Sequence, residues 1–326
     1  MNEAATVSVV IPAYNAAKLL GGAISSALTQ TRTPDEVIVV DDGSTDATAA
    51  IAAAYPAPVR LISQANGGVA DARNTAVREA RGDFIVLLDA DDQFLPNHLE
   101  RCIATWQSMA TSGQNERLIV TSNAYRLTRQ GLTTSTILSS NFPPPALQRQ
   151  KILETNFAGI FAFYPRHLHD EVGLFDATMR RGEDRDLWIR AIFSGWRIVP
   201  QREAHAVYRM AGTSLSADHE RMAEAERQVL QQTRDRFADT LTATELAYLD
   251  LRLSSPAPRQ LIHEANDLIR RDSWLDAADR LRQAAQMLPS DGRVRARAWL
   301  ATHRWARPLL SIHLRMSDTR LRPVSE

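Results

Sequence analysis

The chain lacks several things. It has one cysteine, Cys102, in 326 residues, so no internal disulfide and no cysteine zinc site can form. No apolar run reaches the ~18 residues needed to cross a bilayer, and no signal peptide opens the chain. The expectation is therefore a cytoplasmic protein. Its formal net charge is +0, which argues against a generally basic nucleic-acid-binding protein. Lysine is nearly missing: only Lys18 and Lys151 occur, and every other cationic side chain is arginine. No GxGxxG is present, which removes the simplest dinucleotide-binding signature.

What is present is a repeated plan. Val7–Ile11, Glu36–Val40, Val59–Ser63 and Phe84–Leu88 are short apolar runs that read as strands. Between them lie segments with helical spacing, over residues 16–29, 47–55 (after a turn and N-cap at Gly43–Asp46) and 69–80. Strands alternating with helices of this length predict a parallel sheet. Two of the strands discharge into carboxylates: Asp41-Asp42 after the second, and Asp89, Asp91 and Asp92 after the fourth. In an open α/β sheet, ligands bind at the carboxyl ends of the strands. Clustered carboxylates there repel one another and are costly to desolvate unless something positive joins them. A hard divalent cation carrying phosphate oxygens meets that need.

Four segments, VSVVIPAYN (7–15), VIVVDDGSTDAT (37–48), NGGVADARNTAVREARGDFIVLLDADD (66–92) and GLFDATMRRGEDRDLWIRA (173–191), resemble in order and spacing the family-2 glycosyltransferases of the bacterial type. The resemblance covers about residues 5–215. It implies an α/β fold of the GT-A (Rossmann-like) class, with a mostly parallel central sheet flanked by helices. It also implies an inverting, metal-dependent transfer of a sugar from a nucleoside-diphosphate sugar, UDP by default, to a hydroxyl of a glycan or lipid-linked acceptor.

The same resemblance assigns roles. Pro12, Tyr14 and Asn15 would line the nucleoside pocket, with Tyr14 either stacking on the base or packing as a wall. Asp42 would read the base, and Asp41 would lie nearer the ribose; a solvated helix cap is the competing role for the pair, although Asp46 could cap unaided. Arg73 would face the diphosphate, where a guanidinium fork suits phosphate oxygens. Asn74 would brace the loops. Asp91 would hold Mg2+ or Mn2+, with Asp89 on the ribose or on the metal's waters and Asp92 behind them. Asp184 would be the general base, with Glu183 orienting it or the acceptor; both stand at the start of a helix whose dipole favours carboxylates, so helix capping is the competing role. Asp186 would face solvent or pair with an arginine. His205 and Arg209 would come late in the fold, Arg209 to the diphosphate and His205 either to the metal or to plain structure. Gly212–Ser216 would form a segment over the site.

Residues 93–165 are less legible; Leu118–Tyr125, Thr133–Leu138 and Gly159–Tyr164 read as strands, and Trp196–Met210 as one or two more. The 139–150 loop is where acceptor choice is expected. The domain division expected is 1–220 for the transferase and 221–326 for an all-helical extension, with one helical hairpin over 261–289. Its tail, residues 293–322, is rich in arginine and interleaved with Trp299 and Trp305. That composition suits either a solvated face or peripheral contact with an anionic membrane. Three other readings compete. A haloacid-dehalogenase-type phosphohydrolase would need a Thr or Val soon after the Asp pair and a downstream lysine; the pair is followed by Asp92-Gln93, and Lys151 is poorly placed. A nucleotidyltransferase would show a glycine-rich basic loop where PAYNAAKLL stands. An inactive scaffold on the same fold would not need Asp91 and Asp184.

Overall fold

The computed structural model describes residues 5–110, 117–138, 141–210 and 219–310. The chain divides into two compact units, Met1–Val229 and Leu230–Glu326. Gly212–Ser216, residues 139–140 of the expected acceptor loop, and the tail beyond residue 310 lie outside the described residues.

The first unit opens with β1 (Val7–Ala13), α1 (Leu20–Leu28), β2 (Glu36–Asp41), α2 (Thr48–Ala53), β3 (Val59–Ser63), α3 (Val69–Glu79) and β4 (Phe84–Leu87). Every residue of β1, β2 and β4 is buried, as expected of parallel strands covered on both faces. The pairings β3–β2–β1–β4 are all parallel. The carboxyl ends of β2 and β4 therefore flank that of β1, and both acidic runs emerge at one edge, as the sequence predicted. α1 starts later than its apolar spacing suggests, because residues 16–19 are spent on a turn.

Beyond β4 the sheet becomes mixed. The chain continues through β5 (Gln93–Phe94), α4 (His98–Ala110), β6 (Leu118–Thr128), β7 (Gly131–Thr136), α5 (Gln148–Glu154), β8 (Ala162–Pro165), α6 (Leu168–Val172), α7 (Glu183–Phe193) and β9 (Arg197–Arg209). The described strands follow the order β3-β2-β1-β4-β8-β6-β9-β5, with β7 on β6. β8 runs antiparallel to both β4 and β6, whereas β6 and β9 are parallel. β9 is one strand of 13 residues. Near its end it pairs antiparallel with β5, Gln93 against Val207, which carries Arg209 back to the acidic run after β4.

Cys102 is buried with its Sγ 3.2 Å from Ser122 Oγ, and burial pushes its thiol up to about 12, so it is an inert core residue. α8 (His219–Arg236) spans the division between the units. The second unit holds α9 (Ala243–Ser254), α10 (Pro258–Arg270), α11 (Trp274–Met287) and α12 (Gly292–Thr302). Ala265, Ile269, Ala277, Leu281 and Ala298 share one of its cores. α9 opens with a reciprocal cap, Thr242 with Glu245. No helix among the described residues is long and apolar enough to cross a membrane.

Candidate functional site

The shared strand edge is closed from above by α7. Gly182 at φ +76° forms the turn into this helix, a backbone region that suits glycine. Arg185 then bolts α7 down, donating from Nε to Ile152 O (3.1 Å) and from Nη2 to Leu153 O (2.8 Å). Asp186, expected at the surface or beside an arginine, is buried and paired with Arg190 at 2.7 Å. The first two residues of α7, Glu183 and Asp184, are thereby set over the carboxyl end of the sheet.

Arg73 is the centre of the arrangement. It lies on α3, 2% exposed, and donates from Nη1 to Glu183 Oε1 (2.6 Å) and from Nη2 to Asp89 Oδ1 (2.7 Å). Burial opposes its charge, but Asp89, Glu183 and Asp184 outweigh that and hold it firmly protonated. Arg73, expected to face the diphosphate, spends its two Nη groups on carboxylates 16 and 110 residues away in sequence, while its Nε is buried without a partner. The bridge is closed at one end and open at the other, since the Glu183 side chain is 8% exposed and that of Asp89 28%.

On the closed side, burial pushes Glu183 up to about 7, with Arg73 opposing and Asp184 assisting. Burial also raises Asp184, against Arg73, the Arg185 N–H and Asn156. Asp184 Oδ2 accepts from Asn156 Nδ2 (2.7 Å) and Oδ1 from the Arg185 N–H (2.7 Å). A carboxylate raised toward neutrality yet fixed by two donors is suited to taking a proton. Asn156, whose Oδ1 is buried without a partner, was missed in the sequence, where it is an ordinary loop residue.

On the open side the Asp91 carboxylate receives no side-chain donor among the described residues; burial and Asp89 raise it. Arg209 binds the backbone here, from Nε to Asp91 O (3.0 Å) and from its N–H to Asp92 Oδ1 (2.7 Å). Asp92 Oδ2 is buried without a partner, and burial followed by Asp89 pushes this carboxyl up to about 9. His205 does not join the group. Its Nδ1 contacts Asn97 Oδ1 at 2.8 Å, and its Nε2 lies 3.3 Å from Glu203. His205 falls where β9 shifts register against β6, between Ala204 and Ala206, and its ring contacts suit the structural one of its two expected roles. Among the described residues no three His, Cys, Asp or Glu side chains form a ready-made metal cage.

The second acidic pair is built differently. Asp42 Oδ1 accepts from the Gly67 N–H (2.8 Å) and Gln64 Nε2 (2.9 Å), and Oδ2 from the Gly68 N–H (2.7 Å). It is a clamp on the 66–68 turn. Asp41 is freer; its carboxylate takes one long bond, from the Ser44 N–H at 3.3 Å. Asn15, at φ +48°, joins the loops after β1 and β2 by donating its N–H to Ser44 Oγ (2.9 Å) and accepting from the Thr45 N–H (2.8 Å). Pro12 is buried in β1 and Tyr14 stands 53% exposed beside it. Asp46 holds the Thr48 N–H at 3.0 Å. Asn74 braces the loops as expected, exchanging hydrogen bonds of 2.8 and 2.9 Å with the Phe175 backbone. Gly68, at φ +94°, has Arg180 Nη1 only 2.9 Å from where a Cβ would stand. Arg180 is thus a further cation over the donor-side turn that sequence reasoning did not single out.

The family model for glycosyl transferase family 2 matches residues 8–173. The chain is 35% identical over 216 residues to succinoglycan biosynthesis protein ExoO of Rhizobium meliloti, covering 64% of this chain and 62% of that protein. It is 31% identical over 243 residues to ExoU of the same organism, covering 70% of each. It thus spans less than two thirds of the length of ExoO and over two thirds of that of ExoU. A crystal structure of S. aureus TarS 1-349 in complex with UDP-GlcNAc superposes with a TM-score of 0.58 at 20% identity, over 93% of this chain and 87% of that one.

Proposed function

The chain belongs to glycosyl transferase family 2, and from that premise we propose that it moves a sugar from a nucleoside-diphosphate sugar to an acceptor hydroxyl with inversion at the anomeric carbon. The observation that carries this reading is the Arg73 bridge. One buried guanidinium fastens the acidic run after β4 to the carboxylate pair opening α7. Donor-holding and proton-accepting groups are therefore parts of one constellation.

In this reading Asp184 takes the acceptor proton as the acceptor oxygen bonds to the anomeric carbon. The bond from that carbon to the phosphate oxygen breaks, and the nucleoside diphosphate leaves with the electron pair. Asn156 and the Arg185 N–H fix the direction of Asp184. Arg209, whose Nη atoms carry no partner among the described residues, is the cation free to meet the diphosphate. Asp41, with Tyr14, Pro12 and Asn15, forms the nucleoside wall, while Asp42 holds the turn that shapes it.

A divalent cation, Mg2+ or Mn2+, suits the open side. Asp91 carries a carboxylate without a side-chain donor, beside an Asp89 that keeps one oxygen clear of Arg73. Such a cation needs only one or two protein carboxylates when phosphate supplies the rest. Bound there, it would neutralise charge on the departing diphosphate. UDP is the nucleotide we favour, since the TarS neighbour was crystallised with UDP-GlcNAc. A glycan or lipid-linked acceptor fits the polysaccharide-synthesis relatives, and the place of action is the cytoplasm, where sugar nucleotides are made.

The test is a panel of sugar nucleotides assayed with and without Mg2+ or Mn2+. Asp184→Asn should leave donor binding within about twofold and lower kcat by roughly 10²–10⁴. A variant that turns over at the wild-type rate would remove Asp184 from the chemistry. Absence of any nucleotide-dependent shift in melting temperature would favour the inactive-scaffold alternative.

A further inference from the structure

In the second unit, one stretch of surface differs from the rest. α12 buries Val294, Ala298 and Ala301 and turns Arg293, Arg295 and Trp299 outward. The segment after it turns Trp305 and Leu309 outward as well. Trp299 is 50% exposed, Trp305 69% and Leu309 57%. The rings of Trp299, His303 and Trp305 touch one another, with centroids 4.3, 5.7 and 6.3 Å apart, so the exposed indoles form one patch. From Gly292 to Leu310 the sequence has five arginines and no aspartate or glutamate. Large exposed aromatics mark contact surfaces, and the one-signed charge restricts the partner.

We propose that this face docks on an anionic phospholipid surface, with Trp299 and Trp305 seated at headgroup depth and Arg293 and Arg295 over the lipid phosphates. Indoles favour the membrane interface because one part of the ring is apolar and the N–H is polar. Arginines beside them add attraction to anionic headgroups. Leu309 adds apolar surface next to the rings. A sugar-stacking platform would use the indoles but would have no need of the exposed Arg293 and Arg295, which outnumber the one acid beside them, the α12 cap Asp291. The inference is independent of the transfer chemistry, so either can fail without the other.

The experiment uses the full chain with vesicles of phosphatidylcholine alone or with phosphatidylglycerol as roughly a third of the lipid. Sedimentation measures partition and tryptophan emission reports the environment of the rings. The expected result is partition at least about tenfold stronger on the anionic vesicles, with a blue shift, weakening as salt rises. Trp299→Ala with Trp305→Ala, and separately Arg293→Gln with Arg295→Gln, should each weaken partition about tenfold or more. Both pairs are exposed, so unchanged melting would confirm folded protein. Removing the exposed charges Arg78 and Arg81 of the first unit should leave partition unchanged. Equal partition on neutral and anionic vesicles would overturn the proposal. So would wild-type partition by either double variant, or no vesicle binding together with retention on a polysaccharide matrix.

Discussion

The two acidic pairs at the sheet edge look alike as sequence, each a strand running into aspartates, yet the fold treats them oppositely. Asp42 is saturated: two backbone N–H groups and a glutamine amide occupy its oxygens. Among the described residues Asp91 has no side-chain donor, and Asp92 keeps one buried oxygen without a partner. A carboxylate given all its hydrogen bonds serves the architecture. One left short of them, at a cost in desolvation, is held ready for a ligand. Position along a strand does not distinguish these cases; the partner count does.

The contrast can be broken most forcefully at Arg73. Arg73→Met would leave Asp89 as unpaired as Asp91 and strand Glu183 in the interior. Losing one partner of a buried ion pair costs about 3–5 kcal/mol, so urea unfolding should show a loss of that size. Asp91→Asn should act the other way, lowering metal-dependent kcat by roughly a hundredfold or more while melting stays put or rises, since a raised carboxyl is removed. A destabilised but active variant would show that Asp91 is structural. Asp42→Asn should cost about 1–3 kcal/mol of stability, because its amide would present a donor to a backbone N–H, with a smaller effect on turnover; unchanged stability would refute the clamp.

The smallest test uses a third carboxylate, Glu36, at the opposite end of β2. Burial would raise it, but the Arg81 N–H, Ser8 and Arg60 outweigh burial and hold it below its ordinary value. Such a group stabilises the fold above its unfolded pKa, and that contribution fades as pH falls through the folded one. Glu36→Gln should therefore narrow the difference in stability between pH 7 and pH 3, by about 1 kcal/mol or less. An identical pH dependence in the variant would remove Glu36 from the saturated class.

Much of the first unit was legible because β1 to β4 are short, wholly apolar and separated by single helices, so that local pattern and topology agree. The shared edge followed from that, whereas Asp91, the α7 pair and Asn74 were singled out by the family resemblance. What escaped were contacts with no local trace. Arg73 reads as a phosphate ligand until Glu183, 110 residues on, is seen to claim it. Asn156 and Arg180 sit in loops whose composition carries no periodic signal. His205 was hard to place because it falls where β9 shifts register against β6, between Ala204 and Ala206, so alternation does not carry through it. The mixed half of the sheet was harder for the same reason: β6 and β9 shift register at Asn123, and an irregular ladder leaves no clean alternation to read.

The guanidinium shared by Asp89 and Glu183 also bears on hybrid enzymes. A chimera that splices the β1–β4 part of this chain to the later part of a relative has its seam somewhere between α3 and α7. Unless the grafted piece supplies an acid where Glu183 stands, Arg73 is inherited with a vacant hand. Compatible parents can be chosen by that one pairing before any acceptor loop is compared.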